Sequence, residues 1–185
     1  MVNIKSNKKW VTLFSMTGTE IYKISKRINR VPDIIITNKP KDKFLEIKPE
    51  LFDEYSDRFV WLPKKPTVKE YIEAIPNGSF VTLHGWLRII PAEVCELYEI
   101  YNLHPAPIHL EGYDKYKGKD PQVRIFEDKA TYSGNVIHEC IAELDAGKIL
   151  AKNHFDVRGF DLDMVFKLTH SKATELWCSF LENRV

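Results

Sequence analysis

The sequence predicts an α/β chain: a mainly parallel, twisted, Rossmann-like sheet flanked by helices. Three observations predict it. Short β-branched and aromatic runs alternate with apolar residues at helical spacing; residues 33–38 (DIIITN) are apolar without alternation, as in a strand covered on both faces; and Gly- or Pro-bearing turns separate these segments at the spacing of right-handed βαβ units. Residues 10–15 (WVTLFS) read as a strand that stops at Thr17-Gly18-Thr19, after which Ile21, Ile24 and Ile28 mark a helix. Residues 33–38 are the second strand, ended by the polar Asn38-Lys39-Pro40. The charge-dense stretch 39–57 is the least periodic and reads as a surface helix and loop. Residues 59–62 (FVWL) form a third strand closed by Pro63. Thr67 stands where an N-cap belongs, before a short amphipathic helix over 68–75 that stops at Pro76-Asn77-Gly78. Residues 80–83 are the fourth strand. Pro91 suits the first turn of a helix through Val94 and Leu97, and residues 100–103 resume the extended pattern before His104-Pro105. A loop then runs to Gly118. A short helix is expected over 121–127, extended runs over 134–140 and 148–155, and a closing helix over 162–181, where Val165, Phe166, Leu168, Thr169, Leu176, Trp177 and Phe180 fall at helical intervals.

Composition narrows the function. With 185 residues, 44% hydrophobic and 29% charged, the chain is an ordinary globular sequence of a length that usually makes one domain, expected here over 1–185. Its 27 Lys and Arg against 26 Asp and Glu leave a formal charge of +1, which removes the electrostatic case for a nucleic-acid or anionic-membrane partner. No apolar run approaches the roughly 20 residues that span a bilayer, and the start lacks the apolar segment of a signal peptide, so a cytoplasmic protein is expected. Cys95, Cys140 and Cys178 are odd in number and lack CxxC spacing, which predicts reduced, largely buried thiols in place of a disulfide framework or zinc knuckle.

In an open parallel sheet, ligands bind beyond the carboxyl ends of the strands. Four polar stretches qualify: residues 15–19, 84–88, 102–105 and 138–147. Asn102 and His104 are two apart at a strand end, so an amide and an imidazole share one face and can stabilise charge developing on a carbonyl oxygen. Asp145 lies where a returning chain could bring a carboxylate beside His104, to hold it protonated or to relay protons. By residue type alone, an Asn-His pair at a strand end is more often a piece of hydrogen-bonded structure.

Several motifs in order carry a resemblance. Residues 84–91 (HGWLRIIP), 101–105 (YNLHP), Gly118, 134–138 (GNVIH) and 143–147 (ELDAG) resemble, in order and spacing, the folate-dependent formyltransferase family. The phosphoribosylglycinamide formyltransferases are the most similar branch; their pattern is a GFMRIL-like strand end, NIHPSLLP, a glycine, GxSVH and ELDGG. The resemblance implies that Asn102, His104 and Asp145 are catalytic, with Asn102 and protonated His104 stabilising the tetrahedral oxyanion and Asp145 helping to move the proton to the leaving nitrogen. It implies 10-formyltetrahydrofolate as co-substrate, held by the backbone of Leu87, Arg88, Ile89 and Ile90 and by the loop of Cys140, Ala142 and Leu144, with no metal. His138 is implied as a supporting residue, through direct catalysis or by ordering the Asp145 loop. Thr17, Gly18, Thr19 and Pro105 are implied on the acceptor side.

The departures are as informative. The family's glycine-rich first turn, SGxGSN, reads Ser15-Met16-Thr17-Gly18-Thr19-Glu20 here. Backbone N–H groups and two threonine hydroxyls could still cradle a phosphate; Glu20 would repel it, or is merely favoured there by the helix dipole. NIHPSLLP is altered after its proline, and Lys115 and Lys117 in the following loop are either solvated surface or a relocated anion site. Trp61 and Trp86 stack on a ligand ring or pack in the core. Glycinamide ribonucleotide is the leading acceptor and an amino-sugar or modified nucleotide the runner-up. The short stretch after Ile149 holds a strand and a helix, which with the near-neutral charge argues against a tRNA acceptor. A catalytically idle folate- or nucleotide-binding relative is the alternative from another class. A dinucleotide-binding oxidoreductase would want GxGxxG after the first strand, where only Gly18 stands. A monomer or homodimer is expected.

Overall fold

The computed structural model describes residues 8–182 and 184. The strands are β1 (Trp10–Phe14), β2 (Ile34–Thr37), β3 (Phe59–Trp61), β4 (Phe80–Leu83), β5 (Glu99–His104), β6 (Tyr132–Glu139) and β7 (Ile149–Asp156), in the order β3-β2-β1-β4-β5-β6-β7. β1 pairs in parallel with β2 and β4, and β2 with β3; β6 and β7 are antiparallel. The helices are α1 (Thr19–Ile28), α2 (Pro49–Tyr55), α3 (Val68–Ala74), α4 (Ala92–Leu97), α5 (Pro121–Glu127) and α6 (Leu162–Leu181). The mainly parallel α/β architecture expected from the sequence is therefore the one observed. None of the described helices is long and apolar enough to cross a membrane.

The chain divides into two compact units, Met1–Tyr101 with Leu181–Val185, and Asn102–Phe180. In the first, the continuous apolar run of β2 is buried as its composition demands, Ile35 and Ile36 being fully covered. Phe14, Ile21, Ile35, Ile47 and Leu51 form one cluster there. Two of them come from the charge-dense stretch expected to be surface. It folds as two 3-10 turns (Lys41–Glu46 and Ser56–Arg58) around α2; Ile47 and Leu51 are buried, and Phe52 and Tyr55 pack partly covered against the same cluster. Burying Leu51 stabilises the unit by about 2 kcal/mol. Thr67 caps α3 with a full capping box, its hydroxyl accepting from the Glu70 N–H while the Glu70 carboxylate accepts from the Thr67 N–H. Pro91 is the N-cap of α4, one position outside the expected first turn.

In the second unit, Ala106, Ile108, Tyr116, Ile125, Val136, Val157 and Val165 form the core. Tyr116 belongs to the long loop after β5, so this core anchors that loop. The β6–β7 hairpin carries a register shift between Ile137 and His138, close to its turn. Of the cysteines, Cys178 is buried, but Cys95 and Cys140 are only partly covered, against the expectation of largely buried thiols; no disulfide joins any of the three. Cys140 follows β6 at the start of the hairpin loop, where the chain leaves the sheet.

Candidate functional site

Four side chains from three segments of the second unit meet. Asn102 and His104 end β5, His138 lies near the end of β6, and Asp145 sits in the β6–β7 loop. His104, His138 and Asp145 are buried and Asn102 is partly so. Asp145 adopts a left-handed backbone (φ 51), which aspartate tolerates better than most residues. That conformation turns its carboxylate inward. Oδ2 lies 3.2 Å from His104 Nδ1 and accepts from the Gly118 N–H at 2.9 Å. Oδ1 lies 3.4 Å from His138 Nε2.

The other ring nitrogens fix the tautomers. His104 Nε2–H donates to the Tyr116 carbonyl oxygen at 2.8 Å, which leaves Nδ1 as the nitrogen that gains and loses a proton. His138 Nδ1–H donates to the Glu139 carbonyl at 2.9 Å, so its Nε2 accepts from the Asn102 amide at 3.3 Å. One amide N–H of Asn102 is thereby engaged, and the second has no partner among the described residues. The loop that presents the Tyr116 carbonyl and the Gly118 N–H is itself clamped. Arg124 of α5 donates to the carbonyls of Lys115 and Lys117, each at 2.7 Å. Tyr116, Gly118 and Arg124 thus complete the cluster. The sequence motifs marked only Gly118, because a carbonyl or N–H contributed by a loop backbone leaves no signature in residue type.

Burial is the dominant influence on His104 and pushes its pKa below the ordinary histidine value; the Asp145 carboxylate and the Tyr116 carbonyl offset this only in part. The physical reason is that the ring is almost wholly desolvated. Burial also acts to raise Asp145, but His138, His104 and the Gly118 N–H outweigh it and hold the carboxyl below its usual range.

A pH dependence of stability follows. A histidine whose folded pKa is depressed contributes stability that is complete above its unfolded value, about pH 6.5, and is lost as pH falls through the folded value. His109, pushed down by burial and by Lys152 and His154, acts in the same direction. Asp145 has the same sign in a lower window, contributing above the ordinary carboxylate value and losing that contribution below it. Urea melts at neutral and mildly acidic pH should show stability falling on the acid side, with a smaller fall in His104→Gln. An unchanged pH dependence in that variant would contradict the assignment.

The other sequence candidates are placed as follows. In the first unit, Leu87 and Ile89 are exposed, Ile90 is buried, and Arg88 Nε donates to the Lys64 carbonyl at 2.8 Å. In the second unit, Ala142 and Leu144 are exposed beside the exposed Ile141, and Cys140 is partly covered. Leu87 and Ile89 in the first unit, and Ile141 and Leu144 in the second, are apolar side chains left in solvent on loops that follow strands. Pro105 is partly buried next to His104. Gly18 is left-handed (φ 71), and the hydroxyls of Thr17 and Thr19 are 2.8 Å apart. Trp86 is buried with its indole N–H on Tyr71 Oη, and Trp61 packs against Phe59. Lys115 pairs with Asp128 at 2.7 Å. For these residues the packing and surface readings are the ones observed.

A family model described as formyl transferase matches residues 34–170. The chain belongs to the formyl transferase family. The matched stretch holds the four-residue cluster and leaves out the turn after β1, where one of the departures lies. Among curated relatives of this formyl transferase chain, the chloroplastic phosphoribosylglycinamide formyltransferase of Vigna unguiculata is 35% identical over 76 residues, 40% of this chain and 24% of that protein. The methionyl-tRNA formyltransferase of Thermotoga neapolitana is 26% identical over 171 residues, 87% of this chain and 52% of that protein. The chain thus spans about a quarter to about half of the length of these relatives. In fold, it is similar to the phosphoribosylglycinamide formyltransferase from Anaplasma phagocytophilum, with a TM-score of 0.77 at 19% identity, covering 96% of this chain and 86% of that one. It is also similar to a formyltetrahydrofolate deformylase from Pseudomonas syringae, which covers 97% of this chain and 61% of that one with a TM-score of 0.74 at 16% identity.

Proposed function

We propose that this chain is a single catalytic domain that transfers a formyl group from 10-formyltetrahydrofolate to the amine of a small acceptor. The observation that carries the reading is the buried His104–Asp145 pair beside an Asn102 amide with one N–H unspent. In the reaction, the acceptor nitrogen bonds to the formyl carbon and the carbonyl electron pair moves onto oxygen. The spare Asn102 N–H and His104 stabilise that oxyanion. Neutral His104 takes up at Nδ1 the proton that the acceptor nitrogen releases, and the Asp145 carboxylate stabilises the imidazolium so formed. That proton ends on N10 as the bond from the formyl carbon to N10 breaks, giving the formylated amine and tetrahydrofolate. His138 is a positioning residue: its Nε2 accepts from the Asn102 amide and orients it. Within the second unit, the exposed apolar side chain of Leu144 supplies contact for the pterin.

Glycinamide ribonucleotide is the first acceptor to try, since phosphoribosylglycinamide formyltransferases recur among the relatives; an amino-sugar nucleotide is the second. Methionyl-tRNA relatives add a third arm, which the near-neutral charge disfavours. The purified chain is mixed with 10-formyltetrahydrofolate and each acceptor, and tetrahydrofolate release is followed. Amine-dependent release is expected. Folate binding without turnover on any acceptor would instead identify an idle relative.

A further inference from the structure

The strand order reverses at β1: β2 and β3 lie to one side and β4 to the other. In open α/β sheets, ligands bind in the crevice at the carboxyl ends of the two strands that flank such a reversal. Here one ion pair bridges that crevice. Glu20, on α1 just after β1, places Oε2 2.8 Å from Nδ1 of His84, the residue that follows β4.

A buried relay holds the pair in place. His84 Nε2 is 2.9 Å from Thr82 Oγ1, and that oxygen accepts from Trp10 Nε1–H, also at 2.9 Å. Trp10, Thr82 and His84 are all buried. His84 Nε2 and the Thr82 hydroxyl share one hydrogen bond, and Nδ1 faces the Glu20 carboxylate, which is thereby fixed in the crevice. The side chain of Glu20 is 29% exposed, enough to reach a ligand. The turn beside it is already partly satisfied, because Thr19 N–H donates to Thr17 Oγ1 at 3.3 Å.

We infer that Glu20, held by His84, sets acceptor specificity: it excludes a phosphate from the turn between β1 and α1 and selects an acceptor that presents uncharged hydroxyls there. A glycine turn opening a helix ordinarily suits a phosphate. A fixed carboxylate at that place repels one, whereas Glu20 and the Thr17 and Thr19 hydroxyls offer acceptor oxygens to hydroxyl groups. The inference rests on the formyl-transfer reading for the word acceptor, but the exclusion of phosphate is measurable without turnover.

Inorganic phosphate is titrated calorimetrically into the wild-type chain, Glu20→Gln and Glu20→Asn. The wild type should give no saturable heat and the variants a gain in affinity of about tenfold or more. Saturable binding by the wild type, or none by the folded variants, overturns the inference. A second arm compares wild-type kcat/KM for glycinamide ribonucleotide and its dephosphorylated riboside, which differ in one phosphate. The riboside should be favoured by about tenfold; equality or the reverse preference overturns the inference. If neither amine is formylated, glycinamide acceptors are removed from the formyl-transfer reading, and the phosphate titration still decides the role of Glu20.

Discussion

Replacing His104 with glutamine should lower kcat/KM for formyl transfer by about 10²- to 10⁴-fold while the chain stays folded. Glutamine can still donate to the Tyr116 carbonyl that holds Nε2, so the loop keeps its anchor; the titrating nitrogen facing Asp145 is what disappears. The wild-type pH profile carries a second signature. Because burial lowers the His104 pKa, kcat/KM should rise as pH increases through a value below the ordinary histidine pKa of about 6.5 and then level off. His104→Gln should lose this acid limb along with the rate. A variant that keeps the wild-type rate and limb would mean that another group accepts the proton.

Gly147→Ala is expected to be the most damaging single methyl group in the second unit. A Cβ at Gly147 would stand 1.8 Å from the Glu139 carbonyl oxygen and 2.8 Å from its carbon, which are backbone atoms with no rotamer to give way. Glu139 N–H also donates to the Lys148 carbonyl at 3.0 Å, so the two sides of the loop are tied where the methyl would intrude. Relief requires the turn carrying Asp145 to shift. The expected cost is about 2–4 kcal/mol of stability. A displacement of the carboxylate by an ångström should lower turnover about 100-fold. Thermal melts and initial rates check both; an unchanged melting temperature would show that the hairpin loop adapts.

Much of this was legible from residue patterns. The short apolar runs and their turns sufficed for β1 to β5, and the long helical periodicity of 162–181 sufficed for α6. The packing of α2 was not legible, because two buried residues in a charged stretch make no period. In the site, Asn102, His104 and Asp145 were readable as residue types at strand ends and in one ordered set of motifs. Their surroundings were not. The Tyr116 carbonyl and Gly118 N–H are backbone groups, the Arg124 clamp acts on two further carbonyls, and the Glu20–His84 contact joins residues remote in sequence. The direction of the His104 pKa was not legible for the same reason: a carboxylate partner can be inferred from sequence, whereas the burial that outweighs it is a property of the fold.

The most direct test of the central proposal is a comparison of folate binding and turnover in the wild type and Asp145→Asn. 10-Formyltetrahydrofolate binding is measured by calorimetry, and the formylated amine and tetrahydrofolate are quantified together. The expected result is equal amounts of the two products from the wild type, with folate binding kept and product formation reduced about 10²- to 10⁴-fold in the variant. Amine-independent release of tetrahydrofolate, or equal product from both proteins, would contradict formyl transfer by the Asn102–His104–Asp145 cluster.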